Sequence, residues 1–339
     1  MGELHEGRGY RSIDVMTTED DSVTATSSSP PSLTSAETRE NEARLDRFNA
    51  RARRIGWQEA LQEECDQIGG KGSWYYRYVA DPSRASFLEL LGCRPEQTVL
   101  EVGSNAGQIT VALAKRVKAV YGIDVELPYL RFAAVRCEQE GLTNVRLACG
   151  GDTCVLPFAE NRFDFVILNL VFEWCGSRDT GRSLIESQRK MIQEAHRVLR
   201  GGGTLYLSTK NRYALSLLFG GRDPHANGMR FGNALPRWLL SGLTRLRRLP
   251  RAQGLLHSYG GLVRLVKASG FHVDETYWPI PNPRFAVSYV PLNHQAIAAA
   301  QARLDVAIDD VPFYDRLCRL IPASLLPFFA HSLILVARK

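Results

Sequence analysis

Leu100-Glu-Val-Gly-Ser-Asn-Ala-Gly-Gln108 joins a short apolar run, Thr98–Val102, to an amphipathic stretch, Ile109–Val117. A tight turn from strand to helix needs residues that accept unusual backbone angles and let a ligand approach the main chain. Glycine does both because it has no Cβ. Gly103 and Gly107 supply this, and Asn105 is the non-glycine type that best tolerates a left-handed backbone. The helix that follows offers free N–H groups and the positive end of its dipole. Glu101, at the carboxyl end of the strand, can accept hydrogen bonds from an ammonium group. Alone, the stretch also fits a generic strand-to-helix turn.

The rhythm continues on the C-terminal side. Ala119–Ile123 reads as a second strand ending at Asp124, followed by a helix through Gln139. Asn144–Ala148 and Phe163–Leu170 are further strands, Ser183–Leu199 a helix, and Thr204–Ser208 a fifth strand after a Gly201-Gly202-Gly203 stop. Ser258–Gly270 reads as a helix, and Phe271–Trp278 and Ser332–Ala337 as the last strands. Such alternation predicts an α/β fold, a Rossmann-like, doubly wound, seven-stranded and mostly parallel sheet with helices on both faces.

Around this core, residues 1–40 are rich in Ser, Thr and Pro with little to bury, and read as a disordered tail. Residues 41–97 read as a helical N-terminal cover and 98–212 as the core. A lid insertion over 213–257 and a second insertion over 279–330 flank the 258–278 helix and strand, and 331–339 holds the last strand. Insertions on the carboxyl side of the sheet wall the crevice where open α/β sheets bind ligands.

The 339 residues carry 42 Lys+Arg against 36 Asp+Glu, a net charge of +6 that suits an anionic substrate or surface without demanding nucleic acid. No DNA partner is expected. The seven cysteines are scattered, odd in number and free of any C-x-x-C pair, which argues against a disulfide framework and a zinc knuckle. No metal is expected, and free thiols point to a cytoplasmic protein. Leu317–Ala337, the most apolar long stretch, contains Arg319, His331 and two prolines and makes a poor membrane span.

Two further acids stand where ligand contacts belong. Asp124, 23 residues beyond Glu101, can accept two hydrogen bonds from ribose hydroxyls, or else cap the helix beginning near Glu126. Asp152 in GDTCVLPF (151–158) can receive the amino group of an adenine, or form an Asx turn.

In register, VLEVGSNAG (99–107), YGIDV (121–125), GDTCVLPF, ENRFDFVIL (160–168) and HRVLRGGGTLYLS (196–208) resemble the class I S-adenosylmethionine-dependent methyltransferases. Asn105 departs from the glycine the family often has there. The resemblance implies S-adenosyl-L-methionine as cofactor and an antiparallel last strand. By position, it places Glu101 and Gly103 at the methionine moiety, with Asn105 and Gly107 in the same turn, Asp124 at the ribose, Asp152 and Thr153 at the adenine and Asn169 beside the methyl group. A nicotinamide-dependent oxidoreductase is the rival on fold, but its turn wants G-x-G-x-x-G, which Gly103-x-x-x-Gly107 does not match.

For the acceptor, Glu173 and His225 are candidate catalytic groups, His225 because its unperturbed pKa of ~6.5 lets it take a proton near neutrality. Their bland readings are a surface carboxylate and a loop turn. Asn211, Arg212 and Tyr213 leave the fifth strand at its carboxyl end and are candidate substrate residues. STKNRYALSLLFGGRDPH (208–225) with ALPRWL (234–239) resembles methyltransferases of surface-glycan and natural-product pathways, which favours a small-molecule, glycan or lipid-linked acceptor. Segment 235–251 mixes arginines with Leu and Trp238, the composition of a lid helix or of a peripheral membrane contact. An RNA- or protein-directed methyltransferase and a non-catalytic cofactor-binding module are the alternatives.

Overall fold

The computed structural model describes residues 15–17, 35–68, 72–178, 181–248, 254–303 and 317–339. Its strands are β1 Val15–Thr17, β2 Thr98–Val102, β3 Ala119–Asp124, β4 Val145–Cys149, β5 Phe163–Asn169, β6 Leu199–Lys210, β7 His272–Ile280, β8 Ser288–Pro291 and β9 Ser332–Arg338. They form one sheet in the order β1-β4-β3-β2-β5-β6-β9-β7-β8. Strands β1 to β6 pair in parallel, and β9 runs antiparallel to both β6 and β7.

The seven strands read from the sequence are all present, and a short strand is added at each edge. Val15–Thr17, inside the expected tail, lie parallel to β4, and the helix Ser35–Ile55 begins before residue 41. The rest of 1–34 falls outside the described residues. β8 arises in the second insertion and pairs antiparallel with β7. The triple glycine does not stop a helix before a new strand. β6 runs through it, and the register steps from Phe163↔Leu199 to Phe165↔Thr204, so residues 200–203 loop out of the ladder.

Alternation along β2 decides where its side chains go. Leu100 and Val102 enter one core with Ile123, Val166 and Leu207, under the helices Leu184–Val198 and Tyr259–Ala268. Val99 joins the opposite core with Val120, Ile167 and Tyr206, over which lie Ala85, Phe87 and Leu88 of the cover. Glu101 therefore sits on the Val99 face, beneath the cover. The capping box of Ser183 and Glu186 sets the start of the Leu184–Val198 helix.

The cover packs on the helix Leu127–Gln139. Phe132 stacks on Phe48 at 4.8 Å and meets Trp57 edge-on at 6.5 Å. Asn49 donates to Pro128 O, Gln139 to Ala52 O and Arg136 to Val79 O, so buried backbone carbonyls at the joint are satisfied. Among the described residues no helix is long and apolar enough to cross a membrane. None of the seven cysteines forms a disulfide.

Candidate active site

From β2 the chain winds outward through β3 and β4, then returns to β5 on the other side of β2. The carboxyl ends of β2 and β5 therefore form a topological switch point, the place where open sheets bind ligands. There Gly103 takes φ +81°, and a Cβ on it would stand 2.7 Å from Val171 Cγ2. Asn105 adopts φ +44°, and its backbone N–H donates to Asp124 Oδ2 at 2.8 Å. Gly107, at φ +77°, leaves room for Ala133, whose Cβ would be 3.1 Å from an added one.

Both acids are buried against their charge. Asp124 Oδ1 accepts the Glu126 N–H at 2.9 Å, so this side chain ties together the two turns flanking the crevice. Burial raises its pKa above the usual carboxylate range. Glu101, 2% exposed, accepts from Thr110 Oγ1 at 2.6 Å. Burial pushes it up to about 8, against the Thr110 bond, with help from Asp124 and opposition from Arg84. Arg84 descends from the cover over the Tyr78 ring at 4.0 Å. Its Nε and Nη1 are buried without a hydrogen-bond partner, and burial lowers its pKa.

A cavity of about 90 Å³ opens at the carboxyl ends of β2 and β3, lined by Gly103, Asp124, Gly151, Asp152, Val171 and Trp174, among others. Of the residues read from the sequence, it gathers Gly103, Asp124 and Asp152. Glu101, Asn105, Gly107, Thr153 and Asn169 do not line it. Asp152 Oδ1 accepts the N–H of its neighbour Thr153, one residue short of an Asx turn, while remaining exposed. Asn169 ends β5 with Nδ2 and Oδ1 both buried and unpartnered. An ion pair between Glu126 and Arg178 links the loops after β3 and β5 at the cavity, which is smaller than the ~300 Å³ of an ordinary small-molecule site.

On the acceptor side Glu173 is no surface carboxylate. It is 2% exposed, and its Oε2 accepts from Thr209 Oγ1 at 2.9 Å. His225 is 1% exposed, its Nδ1 bonded to Asp223 Oδ1 and its Nε2 without a partner. Trp174, from the cavity wall, lies against the His225 ring at 4.1 Å. Burial works against charge on Asp223, but the hydrogen bonds from His225 and the nearby Lys210 ammonium hold it below the usual carboxylate range. Asn233 satisfies its other oxygen at 2.8 Å.

The three candidate substrate residues separate. Asn211 is fully buried and spends its side chain on Phe328 O and the Tyr213 N–H, so it anchors the loop instead of facing a ligand. Arg212 binds Asn233 O and Leu235 O and lines a different, larger cavity. Tyr213 lines neither cavity and has the Arg212 guanidinium 5.4 Å from its ring.

Sequence reasoning missed Arg84, Trp174, Arg178 and the role of Asp223. The Asp223-Pro-His225 triplet carried a signal for the last, since a carboxylate two residues before a histidine can reach its ring. Arg84 carried none, because it lies in the cover, 17 positions before Glu101, outside any motif.

The methyltransferase domain family model matches residues 100–207. The bifunctional biotin biosynthesis protein BioHC of Cellvibrio japonicus is 33% identical over 147 residues, 42% of this chain and 26% of that protein, so the match spans about a quarter of its length. A ubiquinone biosynthesis O-methyltransferase of Coxiella burnetii is 26% identical over 182 residues, 50% of this chain and 72% of that one. Among solved structures, the [4+2]-cyclase SpnF aligns with a TM-score of 0.45 at 20% identity, covering 76% of this chain and 80% of its own. The domain match is confined to residues 100–207, and the strand order there is that of a Rossmann-like, doubly wound methyltransferase fold.

Proposed function

We propose that this chain transfers a methyl group from S-adenosyl-L-methionine to a small-molecule, glycan or lipid-linked acceptor. The observation that carries the reading is the switch point itself: a side-chain-free turn at Gly103, with Asp124 and Asp152 on the cavity wall, and Glu101 and Arg84 buried unmatched within electrostatic reach of one another. Those unmatched groups fit the cofactor's ends. Glu101 is a buried carboxyl that a cation would return to its ionised form, and Arg84 is a buried cation facing no carboxylate hydrogen bond. Asp124 and Asp152 would hold the ribose and the adenine amino group, and the Asn169 amide would meet the polar atoms around the sulfonium. The Glu126–Arg178 pair has to part to admit a nucleoside.

The sulfonium, when bound, supplies an already activated methyl group, so the protein's work is alignment, exclusion of water and removal of the acceptor's proton. His225 suits the last task. Asp223, kept ionised, accepts the Nδ1 proton and leaves the lone pair on Nε2. Glu173, with Thr209 on one oxygen, would orient the acceptor beside it. Trp238 and Leu246, 75% and 79% exposed on the helix Arg237–Leu246 with Arg245, Arg247 and Arg248 alongside, support peripheral contact with an anionic membrane.

Calorimetry with S-adenosylmethionine tests the reading. Binding is expected, with roughly tenfold or greater weakening in Asp124→Ala, which loses two ribose hydrogen bonds. Absence of binding, or an unchanged affinity in the variant, would overturn it. Labelled methyl groups traced into small-molecule, lipid, RNA and protein pools of a cell extract would then identify the acceptor class.

A further inference from the structure

A second cavity near the carboxyl edge is larger than the one beside Asp124. It measures about 650 Å³ and lies between the helix Arg237–Leu246 and the N-terminal turns of the helices Leu184–Val198 and Tyr259–Ala268. The two cavities share no lining residue. A wall divides them: Leu255 N–H donates to Glu173 O, and Gln188 Nε2 donates to both Phe172 O and Leu255 O.

The lining has two chemistries. Arg212, Arg237, Arg245 and Arg264 contribute four guanidinium groups, and among the described residues no carboxylate lines the cavity. Arg212 is fixed by Asn233 O and Leu235 O, and Arg237 by Gly254 O at 3.1 Å, so two of the four are held in place before any ligand arrives. Among the described residues Arg245 and Arg264 have no hydrogen bond or ion pair, and they are exposed at the rim. His257 adds no charge. Its Nε2–H donates to Gln188 Oε1 at 2.7 Å, and burial with Arg212 and Arg237 pushes it down to about 4. Between the arginines the surface is apolar, with Ile185, Leu240, Leu255 and Leu256.

Positive groups converging without an acid call for a multiply charged anion, and planar guanidinium forks match phosphate oxygens in pairs. The apolar remainder calls for a hydrocarbon portion on the same molecule. We propose that this cavity binds an amphiphile bearing a phosphate monoester, with its phosphate among the four arginines and its chain against Leu240, Leu255 and Leu256. The helix Arg237–Leu246 then serves both sides, lining the cavity with Arg237, Leu240 and Ser241 while Trp238 and Leu246 face out. The assignment requires no methyl transfer and no cofactor.

Calorimetry on the full chain with monomeric decyl phosphate tests it. Decyl phosphate is expected to bind, with inorganic phosphate and decanol each roughly tenfold weaker or worse, since each lacks one half of the match. Arg245→Ala and Arg264→Ala should each weaken decyl phosphate roughly tenfold. Ser241→Trp should block the cavity without removing charge. All three variants should bind S-adenosylmethionine like the parent chain, so a failed cofactor reading would appear separately. Unchanged decyl phosphate affinity in the three variants would overturn the site. So would equal affinity for inorganic phosphate, or binding to phosphatidylglycerol vesicles with none to the monomer, which would make the arginines a membrane surface and not a cavity.

Discussion

Asp223 Oδ1 is bonded to His225 Nδ1 while Nε2 of the same ring is buried without a partner. A charged acceptor at Nδ1 fixes that nitrogen as the protonated one. The free lone pair therefore lies at Nε2, on the ring that Trp174 covers from the cavity wall. Nitrogen-15 NMR should show His225 as the Nδ1–H tautomer, and Asp223→Asn should shift the population toward Nε2–H. With the acceptor in hand, His225→Ala should lower kcat by ~10²-fold or more, the usual share of a general base. A parent-like kcat with unchanged thermal stability would leave the pair as a loop fastener only.

Glu101 gives a pH dependence with a definite sign. Its folded pKa of about 8 lies above its ordinary value of 4.5, so between those limits the folded chain holds a proton that the unfolded chain has lost. Stability from this group is complete below pH 4.5, declines as pH rises, and is gone above 8, at about 1.4 kcal/mol per unit at most. Glu101→Gln keeps the Thr110 contact without the ionisation. Urea melts at pH 5 and pH 8 should show the parent losing more stability over that interval than the variant, by about 1 kcal/mol or more. Equal losses would mean that Glu101 is ionised throughout.

Gly103→Ala confronts two costs at one position, a left-handed φ of +81° and a methyl group placed 2.7 Å from Val171 Cγ2. Destabilisation of ~1–3 kcal/mol is expected in denaturant melts, along with weakened cofactor binding as the turn moves. Val171→Ala in the same chain should recover part of the packing loss but none of the backbone strain. Full recovery would assign the whole effect to the side chain.

The switch point was legible in the sequence because its parts repeat a local rule. Gly103 follows β2 directly, Asp124 ends β3 and Asp152 lies three residues beyond β4, and strand ends can be read from apolar runs. What escaped depends on contacts between distant segments. Asn211 reads as a substrate residue at a strand end, yet Phe328, 117 positions away, takes its amide. The Gly201–Gly203 run looked like a break, but the register step beside Phe163 absorbs it. The short edge strands β1 and β8 have too few residues to show a period. The arginines of the 650 Å³ cavity come from three separate segments, and only Arg237 and Arg245 belong to the cluster visible in the chain.

Arg84 is where stability and binding should part company. A guanidinium 5% exposed, with two nitrogens unpartnered, costs the folded state more than an apolar side chain of similar length would. Its ring neighbours, Tyr78 at 4.0 Å and Phe285 at 6.0 Å, would accept methionine in its place. Arg84→Met should therefore melt at the same temperature as the parent or higher. Because Glu101 would lose the nearby positive charge that opposes its raised pKa, its titration should move further upward. Affinity for S-adenosylmethionine should fall roughly tenfold or more if Arg84 meets the carboxylate end of the cofactor. A variant that melts lower and binds normally would instead make Arg84 a packing residue of the cover, and the anionic end of the ligand would have to be met elsewhere.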